Sequence, residues 1–326
     1  MNMNREATIK EWVDYWFDTF AVRNIKQSTA VSYRGYIKNH ITPKIGDIKL
    51  CELDTDILQR FFNEEFDSGS RKGGGLSPKT LHNMQLMIHK SLKKAYEYDL
   101  IDKNYAEFVE LPKMTKPDMC VMSRDEQRKL RLALDLSDEK LRFGVRLSLA
   151  TGMRLGEVLG LRWGDIDMKG KNLHICRTVN RLPKIDGRGT ELVIGTPKSQ
   201  SSIRDIPFSD SLKKEFEKQR ERLRCELKAG DKRDDYVLML RRGCPVEPKT
   251  MQSAFNRIVS DTGLNPELTF HSLRHTFATR AIEKNVDVKT LSVLLGHADV
   301  TTTLNRYVHI LDKQKREVME KLLEED

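Results

Sequence analysis

Residues 271–280, HSLRHTFATR, set His271 and His275 four residues apart with Arg274 between them, on what the spacing predicts as a helix. Three chemistries fit. Two histidines at this spacing can chelate zinc. However, Ser272 stands where the zinc-protease pattern has its general-base glutamate, and a guanidinium on the same turn opposes a divalent cation. A buried helix with satisfied histidines leaves Arg274 without the carboxylate or phosphate that its planar fork favours. A clamp for an anion uses the histidine and the arginine together.

Three further polar stretches bear on the choice. In ATGMRLGEVLGLRW a Thr-Gly turn leads into a helix with Arg154 in its opening turn. TPKSQSSIRDIP holds Lys198, and LLGHADVTTTLNRYVHI holds His297 and then Tyr307. Two guanidinium forks on one phosphodiester would bind its non-bridging oxygens and stabilise a pentacoordinate transition state. His271, one turn before Arg274 on the same face, reaches the same phosphate. With a tyrosine hydroxyl added, phosphoryl transfer needs no metal.

These stretches, with HSLRHTFAT, LLGH and TTTLNRY in this order, resemble the catalytic domain of the tyrosine recombinases over residues 147–309. These are the phage-integrase family of site-specific DNA strand-exchange enzymes. The resemblance extends to residues 8–110, which look like the family's helical, SAM-like core-binding domain. Within that family it resembles integrases of bacterial conjugative transposons and phages, which integrate and excise a mobile element. It implies Tyr307 as nucleophile, leaving a 3′-phosphotyrosyl link and a free 5′-hydroxyl. Arg154 and Arg274 then clamp the phosphate, and Lys198 protonates the departing oxygen. His271 assists proton transfer at the tyrosine, and His297 hydrogen-bonds the phosphate. Glu157, three residues after Arg154, orients that guanidinium without touching DNA. Neither a metal nor any other cofactor is implied.

The implied partners are double-stranded DNA at specific sites, an accessory excision factor, and further copies of the chain forming a tetramer. Many family members carry another small N-terminal domain for arm-type DNA sites. This sequence opens almost directly on the first core-binding helix: either the element does without arm sites or such a domain has been removed, and regulation by arm sites is left open. A type IB topoisomerase shares the arginine, histidine and tyrosine chemistry, but relaxes supercoils as a monomer without a recognition sequence. A non-catalytic DNA-binding protein of the same fold is the other rival. The complete set Arg154, Lys198, His271, Arg274, His297 and Tyr307 argues against it.

The elements that position these residues can be read from periodicity. The fold class expected is mainly α with a small β-sheet. Ile9, Trp12, Val13, Trp16, Phe17 and Phe20 form one helical stripe. A second helix runs from a Ser28 cap to about Ile41, ended by Pro43. A third opens at Asp54, with Ile57, Leu58, Phe61 and Phe62 inward. A fourth starts at Ser77-Pro78 and carries Leu81, Met84, Ile88, Leu92 and Tyr96. Tyr33, Arg34, Tyr36 and Lys38 on the second helix are candidates for reading DNA, although an amphipathic surface helix has the same pattern.

The proline-bearing stretch ELPKMTKPDMCVMS breaks the periodicity. The expected division is a core-binding domain at 1–110, a linker at 111–122, a catalytic domain at 123–308 and a helical tail at 309–326. Ser123 and Glu126 have the form of a capping box, and Leu141 to Leu149 reads as an apolar helix. NLHICRTVN alternates like one strand, and LVIGTPKSQSSIRDIPF reads as two strands joined by a polar turn that holds Lys198. In the tail, Leu311, Val318, Met319, Leu322 and Leu323 share a helical face. Its acidic end suits a protein partner better than DNA, and in the resembling family such a helix docks on the neighbouring protomer.

Charge agrees with a polyanionic partner. The net charge is +9; residues 1–110 balance 16 basic against 16 acidic side chains, which leaves 41 against 32 in the rest. No run of about 18 apolar residues or signal-peptide h-region is present, so a cytoplasmic, nucleoid-associated protein is expected. Five scattered cysteines without CxxC spacing are expected as reduced, mostly buried thiols.

Overall fold

The structure, a computed structural model, describes residues 3–70, 73–114, 119–184, 189–196, 200–301, 303 and 304. Cα packing divides the chain into two units, Met1–Pro117 with Leu182–Glu191, and Asp118–Arg181 with Leu192–Asp326.

In the first unit, α1 (Ile9–Trp16) opens on a reciprocal cap. The Glu11 amide donates to Thr8 Oγ1 at 3.2 Å, and the Thr8 amide to the Glu11 carboxylate at 2.9 Å. The helix runs on through a wide π-type turn, Phe17–Ala21. Lys26, not Ser28, precedes α2 (Gln27–Tyr36), and Pro43 does not end the helical run. A second π-type turn, Ile37–Ile41, leads into α3 (Thr42–Ile45), and the Thr42 amide bonds Ile37 O across that turn. Pro43 then lies in the opening turn of α3, directly after that wide turn.

Asp54 and Ser77 cap α4 (Thr55–Ser68) and α5 (Pro78–Glu97). The inward stripe of α5 is Leu81, Met84, Met87, Ile88, Ser91, Leu92 and Ala95, all buried. Tyr96 is 53 % exposed. It lies one residue, about 100°, beyond Ala95, and so leaves the core-facing side. Trp12 closes this core, fully buried, with its indole N–H bonded to Ser91 O at 3.2 Å.

The second unit begins with the expected capping box, Ser123 with Glu126, ahead of α6 (Arg124–Leu136). Next come α7 (Arg142–Thr151) and α8 (Leu155–Gly160). Strands β1 (Ile166–Asp167) and β2 (Asn172–Ile175) follow, then β3 (Thr178–Pro183), β4 (Thr190–Gly195) and β5 (Arg204–Pro207). The remaining helices are α9 (Asp210–Leu227), α10 (Pro248–Asp261), α11 (Phe270–Glu283) and α12 (Val288–Leu295).

The strand topology departs from the sequence reading. NLHICRTVN is two strands, because the chain leaves β2 after Ile175 and Arg177 pairs with Asp165 at 3.0 Å. The two strands of LVIGTPKSQSSIRDIPF do not pair with each other. β4 pairs with β3, whereas β5 completes the antiparallel order β1-β2-β5, with Leu173 opposite Ile206 and Ile175 opposite Arg204. The segment between β4 and β5 therefore links two sheets, and Lys198, which falls in it, lies outside the described residues.

The apolar core of this unit centres on Phe216, fully buried among the rings of Phe143, Trp163 and Phe208 at 5.1, 6.2 and 5.4 Å. Each such aromatic side chain contributes about 1.5–3 kcal/mol on burial. Leu273 of α11 packs into this core. Ala278 and Ile282, further along the same helix, form a smaller cluster with Leu291 and Leu295 of α12. That cluster brings the C-terminal end of α12 beside Arg274.

The thiols are free but not buried. Cys51, Cys225 and Cys244 are exposed, and Cys120 and Cys176 are half-buried. Cys120 packs against the edge of the second unit's apolar core. Among the described residues no helix is long and apolar enough to cross a membrane.

Candidate active site

Two helix ends build the site. α7 stops at Gly152 (φ 68°) and α12 at Gly296 (φ 63°), both in the left-handed region that glycine tolerates. A helix C-terminus leaves carbonyls without intrahelical donors and carries the negative end of the dipole. Arginines occupy both ends. Arg274, 2 % exposed, donates from Nη1 to Gly152 O at 2.9 Å and from Nη2 to Leu295 O at 2.7 Å. Arg154, at the N-cap of α8, donates from Nη2 to Gly296 O at 3.1 Å. Arg204, on β5, donates from Nε to Leu294 O at 2.6 Å. Three consecutive carbonyls of one helix end thus receive three guanidinium groups.

Glu157 joins two of them. Its carboxylate accepts from Arg154 Nη1 at 2.8 Å and from the Arg154 amide at 2.9 Å. It also takes a two-pronged pair from Arg204, at 2.9 and 3.2 Å. Burial by itself pushes this carboxyl upward. The Arg204 hydrogen bonds and charge, with those of Arg154, overcome that and hold it below the usual carboxylate range. Among the described residues, two of Arg154's five side-chain N–H groups are taken. Its side chain is 35 % exposed, so the rest can meet an anion.

His297 follows Gly296. Its Nε2 lies 2.9 Å from Arg274 Nη2, and its Nδ1 lies 2.7 Å from Thr303 Oγ1. An arginine has no acceptor, so Nε2 accepts and the ring proton sits on Nδ1, donated to Thr303. In this state His297 orients Arg274; bonding a phosphate through Nε2 requires a second proton on the ring. His271 is exposed in the first turn of α11, edge to face with His275 at 4.6 Å between ring centroids.

The structure therefore brings together Arg154, Glu157, Arg274 and His297, with His271 one turn from Arg274. Lys198, Tyr307 and the tail lie outside the described residues. Sequence reasoning missed Arg204 and Thr303. A signal for Arg204 was present: in RDIP it alternates with Ile206, and both point inward while Asp205 and Pro207 face out. Thr303 has no such signal, since its neighbours Thr301 and Thr302 are the same residue type.

The four second-helix candidates fare differently. Tyr33 is 6 % exposed and stacks on Trp16, with centroids 6.1 Å apart, so it is a core residue. Arg34 pairs with Asp14 at 2.9 Å and Asp18 at 2.6 Å and lies over the Phe17 ring. Tyr36 is half-buried against the same core. Lys38 alone of the four is fully on the surface.

Residues 121–314 match the model of the phage integrase family, and residues 8–66 that of the phage integrase N-terminal SAM-like domain. The chain belongs to the phage integrase family and is a tyrosine-type, site-specific DNA recombinase. It is 28 % identical to a XerC-like tyrosine recombinase of Caldanaerobacter subterraneus, over 98 % of this chain and 83 % of that one. It is 26 % identical to the integrase of Staphylococcus phage L54a, over 97 % and 91 %. The fold matches the Tn1549 transposon integrase in complex with a circular intermediate DNA, with a TM-score of 0.79 and 22 % identity over 97 % and 99 %.

Proposed function

We propose that the chain integrates and excises a mobile element by cutting and rejoining DNA through Tyr307. The observation that carries this is the convergence of Arg154 and Arg274 on one helix end, with Glu157 and His297 as their partners. Preorganised guanidiniums of this kind stabilise the charge that develops on a phosphoryl group and need not reorganise during the reaction.

In the proposed step the Tyr307 oxygen attacks phosphorus, and its proton passes toward His271. The bond to the 5′-oxygen breaks, and Lys198 supplies the proton to that oxygen. A 3′-phosphotyrosyl link and a 5′-hydroxyl result, and a 5′-hydroxyl from another strand reverses the step without ATP. Strand exchange between two sites takes a tetramer, which the apolar face and acidic end of residues 309–326 are suited to hold together. An accessory excision factor is the further expected partner.

The test is covalent trapping. A nicked duplex carrying the element end, in which cleavage releases a short 5′-hydroxyl fragment, is incubated with the protein and resolved on a denaturing gel. The expected result is a DNA-linked band that Tyr307→Phe abolishes. Tight binding with no band on any cognate duplex would overturn the reading.

A further inference from the structure

We infer that Arg204 is a positioning residue for strand cleavage: it neutralises Glu157 so that the charge of Arg154 stays available to the scissile phosphate. The inference rests on the reading of Arg154 as a phosphate clamp and extends it to a buried residue that acts through Glu157.

The geometry is that of a built socket. The Arg204 side chain is 3 % exposed and the Glu157 side chain 1 %. Arg204 spends Nη1 and Nη2 on the two carboxylate oxygens, Nη1 also on Ser202 O at 3.0 Å, and Nε on Leu294 O. The end of α12 is shaped to admit it. A Cβ at Gly296 would meet Arg204 Nη1 at 3.0 Å and its Cδ at 3.1 Å.

Charge explains why such a residue is needed. Glu157 orients Arg154 through two bonds. As the only carboxylate partner of that guanidinium among the described residues, it would also cancel its charge. With water excluded, a neighbouring anion competes strongly with a phosphate. Arg204 supplies the balancing cation from the buried side, while Arg154 keeps its exposed side for the substrate. A buried carboxylate that loses one of two cations is left uncompensated, and what remains of its charge falls on Arg154. Chain order adds a link, because Arg204 follows Lys198 by six positions in the segment that leads to β5.

The experiment compares wild type, Arg204→Met, Arg204→Lys, Glu157→Gln and the double variant Arg204→Met/Glu157→Gln. Each is measured for duplex affinity, thermal midpoint and rate of covalent complex formation. Arg204→Met is expected to slow cleavage about 100-fold, the scale of a small misplacement at a reacting centre, with duplex affinity changed much less. The double variant removes one charge of each sign and is expected to cleave faster than Arg204→Met. Arg204→Lys, which keeps the charge without the fork, is expected to fall between wild type and Arg204→Met.

A folded Arg204→Met that cleaves at the wild-type rate overturns the inference, as does a folded double variant as slow as Arg204→Met. If Arg204→Met does not fold, the ranking of Arg204→Lys against the double and Glu157→Gln decides. A double variant slower than Glu157→Gln alone by the full factor expected for Arg204→Met then rejects charge balance. Absence of covalent complex with wild type would instead refute the catalytic reading itself.

Discussion

Arg274 and His297 meet at 2.9 Å through Nη2 and Nε2, and of the two atoms only the arginine's has a proton to give. The pairing makes His297 a neutral acceptor in the free protein and holds the buried fork of Arg274 against the ends of α7 and α12.

Arg274→Lys should therefore be far worse than its conserved charge suggests. A lysine cannot serve Gly152 O, Leu295 O and a phosphate with one planar group. Covalent complex formation should drop about 100- to 1000-fold, the scale for losing a preorganised transition-state donor. Affinity for an uncleaved duplex should change less than tenfold. A rate within threefold of wild type would contradict the assignment.

Thr303 should act through the same histidine. Thr303→Val keeps the shape but removes the acceptor for the Nδ1 proton, which frees the ring tautomer. Cleavage should fall about tenfold, in line with lost orienting partners elsewhere, and Thr303→Ser should retain most of the rate. Single-turnover trapping of both variants checks this, and a loss in Thr303→Ser with little in Thr303→Val would point instead to packing by the methyl group.

The acid limb of stability should carry a Glu157 signature. Its folded pKa is depressed, so its contribution is fully present above the ordinary carboxylate value. It fades as pH falls through the lower folded value. Scanning calorimetry from neutral pH to below about pH 4 should show wild type losing more of its midpoint than Glu157→Gln, although the variant starts lower at pH 7. Parallel curves would remove Glu157 from the acid transition.

Gly152→Ala tests the helix end itself. The left-handed conformation costs a non-glycine residue about 1–2 kcal/mol. The added Cβ would also lie 2.5 Å from Phe277 Cδ1 and 2.9 Å from Leu295 Cδ2. The urea midpoint of the variant should fall, and cleavage should fall with it because Gly152 O is a seat for Arg274.

Much of this protein is written locally. Caps at Asp54, Ser77 and Ser123, the apolar stripes of α1, α4 and α5, and the three polar stretches with Arg154, with His271 and Arg274, and with His297 follow from near-neighbour spacing. Where the sequence left alternatives open or misled, a distant partner decided. Arg34 belongs to Asp14 and Asp18 of the preceding helical run, Tyr33 to Trp16, and Arg177 to Asp165, which turns the chain out of β2. Strand pairing was likewise undetermined, because alternation names the buried face but not the neighbour, and β5 pairs back to β2 across β3 and β4.

Apart from Arg204 and Thr303, the residues of the site could thus be listed from the sequence and its family resemblance. Their arrangement could not. Only tertiary packing brings α12 against α11, sets carbonyls 294, 295 and 296 beside Arg204, Arg274 and Arg154, and buries Glu157 between two of them. Hydrogen bonds spanning 21 to 142 positions leave no periodicity in the chain; they exist only once the helices have packed.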